Sequence, residues 1–309
     1  MTTTLITDVS FLDHDTGPGH PESANRLRSV TAALEGEAFT NLRRLPARPA
    51  TEAQMAAPHT AKIVDAILAA APDEGFRHID GDTVMSPGTG KAIRMGAGAL
   101  VTAVDAVMTG EAQNVFCAVR PPGHHAERER PMGFCFVNNI AVAALYAREA
   151  YAVAKIAVVD FDVHHGNGTQ DIFWDDPDLF FASSHQYPHF PGTGASDEKG
   201  GYNNVVNAPL PPGTEGAAFR AAYEKHILPA LDAFAPDLVL ISAGFDAHKD
   251  DPLSHMGLIE DDFTWVTERI LSVAAQHADG RVVSTLEGGY NLSALGSSAA
   301  AHVLALMSG

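Results

Sequence analysis

Short runs of Val, Ile, Leu and Phe recur along the chain, and nearly all of them end in the same way, in polar and titratable residues. The runs lie in TLITD, NVFCAVR, KIAVVDFD, LFFASSH, DLVLISAGFD and RVVSTLEGG. Each reads as a strand, being rich in β-branched and aromatic residues. Between most of them stand segments with helical spacing: PESANRLRSVTAALEG, HTAKIVDAILAAA, GKAIRMGAGALVTAVDAVMTG, NNIAVAALYAREA, EGAAFRAAYEKHILPALDAFA and EDDFTWVTERILSVAAQHA. Strands alternating with helices predict an α/β fold, a parallel sheet covered by helices on both faces.

Ligands of such sheets bind beyond the carboxyl ends of the strands. The second to sixth runs end in RPPGHH, DFDVHH, SSHQ, GFDAH and EGGY. Buried Asp and His are costly unless paired or bound to metal, so one shared site at this edge is expected. Residues two apart on a strand face the same way, which lets Asp162 and His164 converge, with Asp246 reaching them from a neighbouring strand. Two carboxylates and one imidazole suit zinc with one position left open, and iron(II) would accept the same set. The metal-free alternative is an Asp-His-Asp hydrogen-bond network. His124 and His125, after a Pro-Pro-Gly turn, are candidates for general base and general acid. Asp160 is placed to accept the far ring N–H of one of them and fix its tautomer. Tyr290, after two glycines, brings a phenol that can donate to an oxyanion.

Composition narrows the rest. A chain of 309 residues, 46% hydrophobic and without a linker or repeat, reads as one domain over residues 1–309. The start MTTTLITDVS has neither a basic cluster nor an apolar core, and no apolar run approaches membrane length, so a soluble, cytoplasmic protein is expected. The two cysteines, Cys117 and Cys135, give no disulfide framework and read as buried thiols in a reducing compartment. A net charge of -18 argues against a nucleic-acid partner and fits a solvated acidic surface that would also attract a cationic substrate. SPGTGKA lacks the spacing of a phosphate loop. His59, His78, His226, His277 and His302 fall outside the strand ends and read as surface or structural.

RPPGHHAERERPMGFCFVNN, DFDVHHGNGTQ, HFPGTG, ISAGFDAHKDDPL and LEGGYN, with HDTGPGHPESANRLRSV near the start, together resemble the zinc-dependent histone deacetylase superfamily, closest to its class II branch and to bacterial deacetylase-like amidohydrolases. The resemblance runs from about residue 10 to the end and implies a three-layer α/β/α, arginase/deacetylase-like domain. It implies Asp162, His164 and Asp246 as zinc ligands, and His124, His125, Tyr290, Asp160 and Asn167 as the catalytic set. Asn167 stands where class I members have an aspartate, which should make His125 less basic. Asp82, Gly133, Phe134, Phe190, Leu253 and Gly288 are implied as substrate-binding groups, the two rings flanking an aliphatic chain and Asp82 meeting the substrate backbone at the rim. A potassium site is implied at Asp160, Asp162, His164, Ser183 and Ser184, and a weaker second one near Phe173. The implied reaction is hydrolysis of an acetylated lysine or small acylated amine to acetate and free amine, with the histidine pair deprotonating water and Tyr290 donating to the oxyanion. Acetylpolyamine members carry a glutamate at the position of Leu253, so an acyl-lysine or other neutral-tailed amide is favoured. An acetylpolyamine amidohydrolase and a weakly catalytic acyl-lysine binding module stay open, as does a homo-oligomer. The arginase-like alternative needs two manganese ions and more carboxylates than DVHHGNG offers.

Overall fold

The computed structural model describes residues 2–309. Ten strands run in chain order: β1 Thr3–Thr7, β2 Arg43–Pro46, β3 Arg77–His78, β4 Val84–Met85, β5 Asn114–Cys117, β6 Ile156–Asp160, β7 Leu179–Gln186, β8 Val205–Leu210, β9 Leu238–Ala243 and β10 Val282–Leu286. Eight form one sheet in the order β2-β1-β5-β10-β9-β6-β7-β8, and every pairing in it is parallel. The two short strands β3 and β4 make a separate antiparallel hairpin.

The helices are α1 Ala24–Ala33, α2 Glu52–Ala56, α3 Ala61–Ala69, α4 Thr89–Met108, α5 Asn139–Tyr151, α6 Asn167–Phe173, α7 Gly216–Ala222, α8 Leu228–Phe234, α9 Glu260–His277 and α10 Leu292–Ser308. On one face α10 packs between α1 and α9, and α8 lies against α9. On the other, α4 packs on α5, and α5 on α6. This is the expected three-layer architecture. Because both faces are covered, the central strands carry near-continuous apolar runs: all residues of β6 but Asp160 are Ile, Ala or Val, and all of β6 and β9 are buried. Among the described residues no helix is long and apolar enough to cross a membrane.

Four strands escaped the sequence reading, the short hairpin pair β3 and β4 and two strands of the main sheet. β2, RRLP, is an edge strand with mostly exposed side chains, so it has no apolar run. β8, VVNAPL, is the other edge, and its Asn207 and Pro209 imitate a turn, although proline is tolerated where a strand has no outer neighbour.

The order of strands decides where chemistry can happen. β5, β10, β9 and β6 are consecutive in the sheet, and register aligns Asp160 with Ser242, and Leu286 with Ala243. The loops that follow these four strands therefore leave the sheet side by side.

Candidate active site

Asp162 and His164 lie just past β6, and Asp246 just past β9. Their ligand atoms all lie within 4.8 Å of one another, and all three residues are buried. His164 Nδ1 stands 3.2 Å from Asp162 Oδ1 and 3.1 Å from Asp246 Oδ2. Donors about 2.0–2.2 Å from a shared tetrahedral centre would be roughly 3.3 Å apart, so the spacing fits a small divalent ion. Each carboxylate is steadied by a backbone amide on its other oxygen: Gly288 N donates to Asp162 Oδ2 at 2.7 Å and Val163 N to Asp246 Oδ1 at 2.9 Å.

The electrostatics call for a cation. Asp160, Asp162, Asp246 and Glu287 are all fully buried, and among the described residues no Arg or Lys pairs with any of the four carboxylates. Burial would push His164 down, but hydrogen bonds and charge from Asp162 and Asp246 raise it to about 10. Burial likewise opposes ionisation of Asp162, yet His124 and His164 hold its carboxyl far below the usual range. An imidazolium squeezed between two carboxylates is the proton's version of the bond a metal would make. Among the described residues no second group of this kind converges, which leaves the two-manganese alternative without its extra ligands.

Beside this centre the rings of His124 and His125 lie 4.0 Å apart, with different partners. His124 Nδ1 is 2.9 Å from Asp160 Oδ2, and His125 Nδ1 is 2.8 Å from Asn167 Oδ1 at the start of α6. Burial lowers both, but the Asp160, Asp162 and Glu287 carboxylates return His124 to about 10. For His125, burial and then the charges of His124 and His164 act together and hold it well below the ordinary histidine value. The environments thus separate a protonated imidazole from a neutral one.

A cavity of about 240 Å³ opens above these groups, lined by Asp82, His125, Gly133, Phe134, His164, His189, Phe190, Leu253 and Tyr290. That is less than the roughly 300–1,000 Å³ typical of pockets for drug-sized ligands, and suits one narrow chain. Phe190 packs edge-on against His125 at 5.1 Å and Phe134 edge-on against Tyr290 at 5.9 Å. Gly133 has φ 57, and a side chain there would collide with the His125 ring, so glycine is what lets this wall close on the imidazole. A larger groove of about 800 Å³ runs along β8 but gathers no such set of groups, so its size does not make it the site.

Several expectations need correction. Gly288 does not line the cavity; it lies against the Asp162 and Asp246 carboxylates, where any side chain would overlap them. His165 and His185, at strand ends expected to feed the site, turn away from it. His165 bonds Thr193 Oγ1 at 2.8 Å and Gln170 Oε1 at 3.0 Å, and His185 bonds Ser183 Oγ at 2.9 Å and the Gly194 carbonyl at 2.9 Å. Burial brings them to about 3 and about 4, so both are neutral structural groups. Near the second potassium site that the resemblance implies, the Phe173 carbonyl accepts from the Asn204 side-chain amide at 2.8 Å, and the same amide reaches the carbonyls of Asp176 and Leu179. Both cysteines are buried and free, as expected, and burial pushes their thiols up.

Other residues at the site were not singled out from sequence. Glu287 accepts from the amides of Gly123 at 2.7 Å and His124 at 3.2 Å, which fixes the histidine pair. Glu22, wholly buried, pairs with Arg120 at 2.5 and 2.6 Å and with Arg26 at 3.0 Å. Arg26 in turn donates to the carbonyls of Gly289 and Glu287 and stacks 4.9 Å from the centre of the Tyr290 ring. Apart from Glu22 and Arg26, which stand four residues apart, these pairs join residues up to 263 positions apart, which no local pattern reveals. The available signal was four charged residues, Glu22, Arg26, Arg120 and Glu287, inside otherwise informative motifs.

The sequence matches the family described as Histone deacetylase domain over residues 20–306. Histone deacetylase 10, chloroplastic, of Oryza sativa is 40% identical over 301 residues, covering 91% of this chain and 68% of that protein. The Histone deacetylase-like amidohydrolase of Pseudomonas aeruginosa is 39% identical over 278 residues, 88% of this chain and 73% of its own. Among solved structures, the HDA15 HD domain superposes with a TM-score of 0.91 at 34% identity, covering 98% of this chain and 88% of that one.

Proposed function

The chain belongs to the histone deacetylase family, and on that premise we propose that it is a zinc-dependent deacylase of acyl-lysine side chains, releasing acetate from the acetylated form. The observation that carries the reading is the convergence of the Asp162, His164 and Asp246 ligand atoms within 4.8 Å at the floor of a narrow cavity walled by Phe134, Phe190 and Leu253.

Zinc held by these three side chains would supply Lewis acidity toward the amide carbonyl and make water acidic enough to react near neutral pH. The chain's own groups do the rest. His125 gives its Nδ1 hydrogen to Asn167, which leaves Nε2 free to take a proton from the attacking water and return it to the departing amine. Neutrality suits it to that task. His124, bonded to Asp160, stays protonated beside it and stabilises negative charge. Tyr290 donates its phenol to the oxyanion. Phe134 and Phe190 hold the aliphatic stem, and Asp82 at the rim accepts from the substrate backbone. An apolar Leu253 at the rim favours a neutral-tailed acyl-lysine over an acylated polyamine. The Asp160, Asp162 and His164 carbonyls with Ser183 and Ser184 are the proposed potassium site. The free buried thiols accord with a reducing, cytoplasm-like compartment.

The test is turnover of a fluorogenic acetyl-lysine peptide alongside acetylated polyamines and longer acyl-lysines, with Tyr290→Phe as the control. Acetyl-lysine release well above the control is expected. Turnover of the polyamines alone would replace the substrate class, and binding without release would make the protein an acyl-lysine reader.

A further inference from the structure

Leu253 at the cavity rim has both of its backbone groups held by side chains, one from its own loop and one from a distant segment. Its N–H donates to Asp251 Oδ1 at 3.0 Å, and its carbonyl accepts from His189 Nε2 at 3.0 Å. The second oxygen of Asp251 accepts from the Tyr290 amide at 2.6 Å and the Asn291 amide at 3.2 Å. Asp251 is 7% exposed, is not among the groups lining the cavity, and is joined to no cation among the described residues. One carboxylate therefore ties the loop after β9, which carries the rim, to the loop after β10, which carries the phenol.

We propose that Asp251 is a positioning residue that sets the Leu253 rim and the Tyr290 phenol as one unit. The inference rests on the deacylase reading above. Bonds from amides to a carboxylate are charge-assisted and stronger than neutral ones, and the anion also faces the start of α10, where the helix dipole favours it. The Tyr290 side chain itself makes no hydrogen bond to any described residue, so its place is fixed through its main chain and by packing on Arg26 and Phe134. His189 extends the connection to the other wall, since its ring stacks on His164 at 5.0 Å.

The experiment is a double-mutant cycle on the zinc-loaded full chain, read together with amide hydrogen exchange of the metal-free chain. Asp251→Asn is expected to lower kcat by about 10- to 100-fold, the effect of misplacing a catalytic group by an ångström. In a Tyr290→Phe background it should cost no more than about twofold, the scatter expected of independent sites. Exchange at Leu253, Tyr290 and Asn291 should be slow in the wild type and fast in Asp251→Asn. Equal losses in both backgrounds, or a kcat unchanged in the single variant, would overturn the proposal. If Asp251→Asn does not fold, Asp251→Glu keeps the charge but shifts the oxygens, and full activity there would overturn it equally. A wild type that hydrolyses no acyl amide sinks the deacylase reading instead, while the exchange rates still decide whether the carboxylate holds the two loops.

Discussion

Replacing Tyr290 with phenylalanine removes one hydroxyl and little that folding uses. The ring keeps its place 4.9 Å from the Arg26 guanidinium and 5.9 Å from Phe134, and the hydroxyl bonds no described residue. Stability should therefore stay within about 0.5 kcal/mol of the wild type. Although part of the side chain opens to the cavity, the protein around it pushes the phenol well above its ordinary value, with Arg26 opposing only in part. The hydroxyl is thus a neutral donor throughout the neutral range. One donor to an oxyanion contributes about 2.7–4 kcal/mol in the transition state, which at about 1.4 kcal/mol per tenfold predicts a fall in kcat of roughly 100- to 1,000-fold. KM should change little, because the bond forms as charge develops. Steady-state kinetics on an acetyl-lysine peptide measure both constants, with metal content and melting temperature confirming that the variant is intact. A kcat within tenfold of the wild type, or a loss confined to KM, would refute the assignment.

Three further outcomes follow from the same structure. Glu22→Gln leaves the buried guanidiniums of Arg26 and Arg120 without their counter-charge and should cost about 3–5 kcal/mol in urea unfolding, whereas a loss under about 1 kcal/mol would mean the network relaxes. His302, fully buried and bonded to Thr267 and Ser284, is brought by burial to about 3 from 6.5. Its folded value lies below its unfolded one, so its contribution is complete above pH 6.5 and is lost as pH falls toward 3, at about 1.4 kcal/mol per pH unit; His302→Asn should flatten that slope, and an unchanged slope would contradict the reading. Leu253→Glu adds a rim charge worth about 0.4–1 kcal/mol, within the range of exposed pairs, so kcat/KM for an acetylated polyamine relative to acetyl-lysine should rise roughly two- to fivefold, and no change would show that the rim does not meet the substrate's tail.

The sheet was legible because a strand buried on both faces carries a near-continuous apolar run, and six strands have one. The edge strands β2 and β8 do not, being half solvated, and α10 was missed because its Ala, Ser and Gly pack closely on two sides instead of showing one apolar stripe. Asp162, His164 and Asp246 could be read because period-two geometry and the carboxyl-edge rule fix where such residues point. Asp160 was placed for the same reason, and it meets His124. What stayed hidden was the support: Glu22 with Arg120, Glu287 with Gly123, and Asp251 with Tyr290 meet only once the sheet order brings distant loops together. Gly288 was misplaced because a glycine between motif residues signals close approach without saying to what.

On the proposed function, Asp162, His164 and Asp246 hold one catalytic divalent ion. Zinc titration of the metal-free chain, followed by calorimetry and by metal analysis after gel filtration, tests it without recourse to a substrate. One tightly bound zinc per wild-type chain is expected, and Asp162→Asn, His164→Ala or Asp246→Asn should each abolish it while the fold survives. A wild type that retains no zinc, or variants that bind it as tightly as the wild type, would contradict the account.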